Sequence, residues 1–256
     1  MPSMSTDAHI GVPGTTNAAE NWRLVGTVAW GIVVALIFIV LQVTTTLIVV
    51  LRGQSSLGED EVLALLESAL SDGFVLSVAT FVTTLVCVPL VVGVAKLKKN
   101  SNIKEYFALK PVSGRVLMVW LGILVAFIVL TDALSLILGK PIVPEFVRTT
   151  YDSARPVWLL WLALVIAAPL FEETFFRGFL FKGFESSVVG PAGAIALTSI
   201  FWAAIHMQYD VYTIGSIFLL GVLLGLARMR TGSLFVPLAM HAAANIVASS
   251  EAALLK

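Results

Sequence analysis

Long apolar runs separated by short polar connections dominate the chain. About 20 consecutive apolar residues cross a bilayer as a helix. Runs of that kind lie at about 24–51, 73–95, 116–138, 157–184, 191–208, 211–228 and 234–250. The pattern predicts an all-α, polytopic transmembrane bundle of about seven to eight helices. Between the first two runs, "EDEVLALLESAL" (59–70) sets carboxylates against leucines at helical spacing and predicts a short interfacial helix. Residues 1–21 are polar, contain His9, and predict a disordered tail. No basic stretch precedes the run at 24–51, which is also too long for a signal-peptide core, so a cleavable signal is not expected.

Composition agrees with this reading. The chain of 256 residues is 58% hydrophobic and 12% charged, against about 25% charged in a soluble domain. Its main partner is therefore the lipid bilayer. The formal net charge is zero, which points to no nucleic-acid partner. The single cysteine, Cys87, excludes an intramolecular disulfide and reads as a small core hydrophobe.

Basic residues set the orientation. Lys96, Lys98, Lys99, Lys104, Lys110 and Arg115 crowd one connection. Placing that connection in the cytoplasm puts eleven basic residues inside and five outside, with the N-terminus inside. The expected location is an integral membrane position in a prokaryotic plasma membrane, because the loops are short and no sorting signal is evident.

One stretch breaks the apolar pattern. "PLFEETFFRG" (169–178) sets Glu172, Glu173 and Arg177 inside the fourth run, which stays apolar to Phe184. At 1.5 Å per residue, Glu172 lies roughly 18 Å from the inner end of that helix. His206 in the fifth run, and His241 and Asn245 in the seventh, lie roughly 23, 11 and 17 Å up theirs. Buried ionisable groups are costly in a membrane and mark function by default. Adjacent residues point about 100° apart on a helix, so Glu172 and Glu173 cannot face one point. Glu173 and Arg177 are spaced i,i+4 and can pair, whereas Glu172 has no such partner and is free to face a cavity. Pro169 and Pro237 each precede a polar site and predict a helix kink with room for water.

A carboxylate near two imidazoles and an amide can activate water. The carboxylate, or a carboxylate–histidine pair, takes the proton. Asn245 and a histidine N–H stabilise the oxyanion on an attacked carbonyl. No serine stands in a G-x-S-x-G setting, and Cys87 is far from both histidines in sequence, so a covalent acyl-enzyme is not expected.

"EETFFR" (172–177), "WAAIH" (202–206) and "HAAAN" (241–245) resemble the EExxxR, FxxxH and HxxxN motifs of the CAAX protease and bacteriocin-processing (abortive-infection) family of intramembrane glutamic endopeptidases. The likeness spans roughly 155–250. It implies that 151–256 is the catalytic helical core and 22–150 a unit of N-terminal helices and loops. Glu172 would be the general base, with His206 binding and polarising the water. His241 and Asn245 would line the oxyanion hole, supported by Glu173 and Arg177. The implied substrate is a membrane-associated protein or peptide, and no cofactor is implied. Some prokaryotic relatives are similar to bacteriocin-immunity and peptide-maturation proteins. Trp202 departs from the family's usual phenylalanine, a change expected to affect packing alone.

Three other readings remain open on the residues. Glu172, His206 and His241 are a possible zinc set, although the HExxH spacing is absent. A non-catalytic immunity or scaffold protein would carry the same groups structurally. A proton-coupled transporter would use them as a relay, but shows inverted repeats that this sequence lacks. Gly221 and Gly225 predict close helix packing, and Asp132 a hydrated position at the interface. Oligomeric state is not encoded in any of these patterns.

Overall fold

The computed structural model describes residues 22–52 and 58–255. The expected tail with His9 lies outside the described residues. Among those described there are ten helices and no strand. In chain order they are α1 (Leu24–Leu51), α2 (Glu59–Ala69), α3 (Gly73–Lys96), α4 (Ile103–Tyr106), α5 (Gly114–Ile137), α6 (Glu145–Ser153), α7 (Val157–Glu185), α8 (Gly190–Ala204), α9 (Val211–Thr231) and α10 (Phe235–Leu254).

Five of these, α1, α3, α5, α7 and α9, are long and apolar enough to cross a membrane. The chain is an integral membrane protein. α10 has the length, with 20 residues, but His241, Asn245, Ser249, Ser250 and Glu251 dilute its apolar character. The expected fifth span ends early. α8 stops at Ala204 after 15 residues, and His206 lies in the turn that follows. The cause is the polar sequence "HMQYD": Asp210 accepts from the Thr213 amide at 2.7 Å and starts α9 instead.

Side-chain caps also start α3 and α5. Asp72 accepts from the Phe74 and Val75 amides at 2.9 Å to begin α3. Ser113 begins α5 in the same way. α7 is the central strut, packing against α3 and α10 along much of its length. Towards its C-terminal end an aromatic ladder spaced i,i+4 fills the bundle. Phe171 and Phe175 stack at 5.7 Å, and Phe175 and Phe179 at 6.5 Å. Phe38 from α1 and Tyr106 from α4 close the two ends of this stack.

The GxxxG of α9 seats it on α8. A Cβ on Gly221 would meet Ser199 and Trp202 at 3.1 Å, and one on Gly225 would meet Ile195 at 3.2 Å. Cys87 is buried in the core, as its apolar surroundings predict.

Candidate active site

The site begins with the backbone of α7. Pro169 has no amide hydrogen, and the turn before it, Ala163–Ala167, is π-helical. There the Ala168 amide reaches back five residues to the Ala163 carbonyl. In that register the Leu164 carbonyl would receive from residue 169, which has nothing to donate. Asn245 fills the gap, its Nδ2 donating to the Leu164 carbonyl at 2.6 Å. Thr84 from α3 adds a bond to the Ala167 carbonyl at 2.9 Å. The disturbance expected at Pro169 is thus a widened turn fastened by two neighbouring helices.

Pro237 behaves differently from the expectation. It is the third residue of α10, in the first turn, where amides have no intrahelical acceptor to lose. It marks a helix start and not an interior kink.

A second π-helical segment, Glu173–Leu180, starts one residue after Glu172. The two carboxylates part here. Glu173 and Arg177 are both 0% exposed and pair at 2.9 Å between Oε1 and Nη1. The same oxygen lies 2.9 Å from His241 Nδ1. Arg177 Nη2 donates to the Gly221 carbonyl at 3.1 Å, and its guanidinium lies 4.6 Å from the Trp202 ring centre. Arg228 from α9, itself buried, donates to the Arg177 carbonyl at 3.1 Å. Three helices therefore converge on this charged pair and desolvate it.

Glu172 keeps 14% of its side chain exposed. It points into a cavity of about 430 Å³, whose walls include Trp202, His206, His241 and Asn245. Glu172 Oε2 accepts from the Trp202 indole N–H and lies 3.9 Å from His241 Nε2. The four residues proposed from sequence as the reacting set, Glu172, His206, His241 and Asn245, line one space, whereas Glu173 and Arg177 stand behind it.

The histidines are oriented by acceptors. His206 Nδ1 lies 2.8 Å from the Trp202 carbonyl, an acceptor left over at the end of α8. His241 Nδ1 faces the Glu173 carboxylate. Both partners can only accept, so each Nδ1 carries the hydrogen and each Nε2 is the free nitrogen.

Two participants escaped the sequence reading. Trp202 does more than pack: its N–H holds Glu172, its face covers Arg177, and its edge meets both imidazoles at 5.2–5.3 Å. Tyr209 stacks on His206 at 6.2 Å. Burial and, second, the Glu172 carboxylate push its phenol pKa well above the ordinary range. An aromatic four before a histidine was legible, but its long-range acceptor was not. Asp132 was expected at a hydrated interface and lies on the wall of this same cavity.

Among the described residues no three His, Cys, Asp or Glu side chains form a group able to hold a metal ion. Glu172, His206 and His241 are not such a group in this arrangement and do not fit a zinc centre.

Residues 154–247 match the family model described as type II CAAX prenyl endopeptidase Rce1-like. The "uncharacterized 24.3 kDa protein" of Escherichia coli is 33% identical over 145 residues, which is 54% of this chain and 67% of that protein. No solved structure matches.

Proposed function

Because the chain belongs to the Rce1-like family of type II CAAX prenyl endopeptidases, and is thus an integral-membrane peptidase, we propose that it hydrolyses a peptide bond of a membrane-associated protein or peptide with a water activated by Glu172. The observation that carries this reading is the shared cavity: a partly exposed carboxylate faces two imidazoles and an amide, next to a carboxylate that is wholly buried in an ion pair.

In this mechanism Glu172 takes a proton from water while His206 Nε2 accepts the water's other hydrogen and aims its lone pair. The hydroxide oxygen adds to the scissile carbonyl carbon. The negative charge that develops on the carbonyl oxygen is met by the second Nδ2 hydrogen of Asn245, the first being held by Leu164. His241, held at Nδ1 by Glu173, lines the same side of this oxygen. The carbon–nitrogen bond then breaks as the leaving nitrogen receives the proton from Glu172, giving a carboxylic acid and an amine, and transfer of the acid's proton to the amine leaves a carboxylate and an ammonium. Trp202 supports the base by holding one of its oxygens.

The test is Glu172→Gln, which keeps an acceptor for Trp202 and removes the base. Membrane peptides from cells with either form are compared by mass spectrometry. Polypeptides that accumulate uncut in the variant, with both proteins present in equal amount, support the reading. An identical set of peptides contradicts it and favours a scaffold or immunity role.

A further inference from the structure

Short connections make the long helices alternate in direction, so each face of the bundle gathers a fixed set of helix ends. The cavity belongs to one face. Leu76 and Thr80 line it from the start of α3 and Thr213 from the start of α9, while Asp132 and Glu251 line it from near the ends of α5 and α10. All these ends lie on the side of α2, α6 and the 205–210 turn. The other side is closed: Phe179 at the end of the ladder stacks on Tyr106 from the 97–113 connection at 6.0 Å, and Phe107, Phe181 and Phe184 are buried in the same core.

The two faces differ in charge. The closed face carries Lys98, Lys99, Lys104 and Lys110 in one connection, flanked by Lys96 and Arg115, with Lys182 and Arg230 at neighbouring helix ends, against Glu105 and Glu185. The cavity face carries Asp60, Glu61, Glu67, Asp72, Glu145, Asp152 and Asp210 against Arg52, Lys140, Arg148 and Arg155. Basic residues in short connections stay on the cytoplasmic side during insertion.

We propose that the catalytic cavity opens on the extracytoplasmic face. Its substrates are then membrane-anchored polypeptides whose scissile segment is presented from that face, and not from the cytoplasm. The substrate class rests on the peptidase reading above, while the direction of the opening does not.

Single cysteines placed in a Cys87→Ala background test the direction in intact cells with a membrane-impermeant maleimide. Asp60→Cys and Thr149→Cys report the cavity face, and Val188→Cys and Lys104→Cys the closed face; all four positions are exposed. The cavity-face pair is labelled in intact cells to the level reached after permeabilisation, and the closed-face pair is labelled only after permeabilisation. Labelling of Val188→Cys or Lys104→Cys in intact cells, or protection of the other pair, overturns the proposal. Cys87→Ala protein labelled after solubilisation at no other site, with an unchanged gel-filtration profile, establishes that the background is folded. The same cells carrying Glu172→Gln separate the two claims. Peptides that depend on Glu172 together with reversed labelling overturn the direction and leave the peptidase reading intact. Labelling as expected, with no such peptides, does the opposite.

Discussion

Glu172 and Glu173 are consecutive in α7 and occupy opposite kinds of place, one on a cavity wall and one in a dry core. The core carboxylate is tied to Arg177 and His241 through one oxygen, under an aromatic ring and between helices. The cavity carboxylate has one indole donor and an open side. A charge kept for structure in a membrane is paired and shut away from the cavity, because an isolated ion there costs several kcal/mol. A charge kept for chemistry is held by few contacts and left able to exchange a proton.

Removing the match in the core is expected to have the largest effect. Arg177→Met leaves Glu173 with His241 alone, and loss of one partner of a buried pair costs about 3–5 kcal/mol. Thermal unfolding in detergent should show a deep drop, with little folded protein recovered.

Asn245→Ala comes next. It strands the Leu164 carbonyl beside Pro169, and an unsatisfied buried acceptor costs about 1–3 kcal/mol. Cleavage should fall beyond what the loss of folded protein explains, since the oxyanion donor goes too. Wild-type unfolding with slowed cleavage would show that the bond to Leu164 carries no stability.

Trp202→Phe separates the two environments. It keeps a ring over Arg177 and removes the N–H that holds Glu172. Stability should change little, whereas turnover should drop about tenfold, an effect of roughly 1.4 kcal/mol on the barrier. Equal losses in both would place Trp202 with the core.

The smallest effect is expected at Asp210, outside the membrane-spanning segments. Bonds from the Thr213 amide and hydroxyl, with Lys140 beyond, hold its carboxyl below the usual range. The folded pKa lies below the unfolded one, so this cap stabilises above the unfolded value and is lost as pH falls through the folded value. Asp210→Asn should therefore flatten the acid side of a melting-temperature profile, and an unchanged acid limb would contradict the cap's role.

The sequence reading reached furthest where a single period decides the answer. α1 and α7 begin and end within a residue of the apolar runs that predicted them. The i,i+4 pairing of Glu173 with Arg177, and the divergence of Glu172 from Glu173, followed from helical geometry alone. Three things needed the fold. The end of α8 before His206 depends on the Asp210 cap competing with an apolar run. The donors to Leu164 and Glu172 come from other helices, Asn245 from 81 residues away and Trp202 from 30. The two π-helical segments leave no mark in an apolar pattern, because they change hydrogen-bond register and not composition.

The most direct measurement sets Glu172→Gln and Glu173→Gln side by side, purified from membranes and followed for both peptide release and thermal unfolding. Glu172→Gln should unfold at the wild-type temperature and release no product. Glu173→Gln should unfold well below it, with its remaining folded fraction still cleaving. Product released by folded Glu172→Gln would contradict the assignment of the cavity carboxylate as the base.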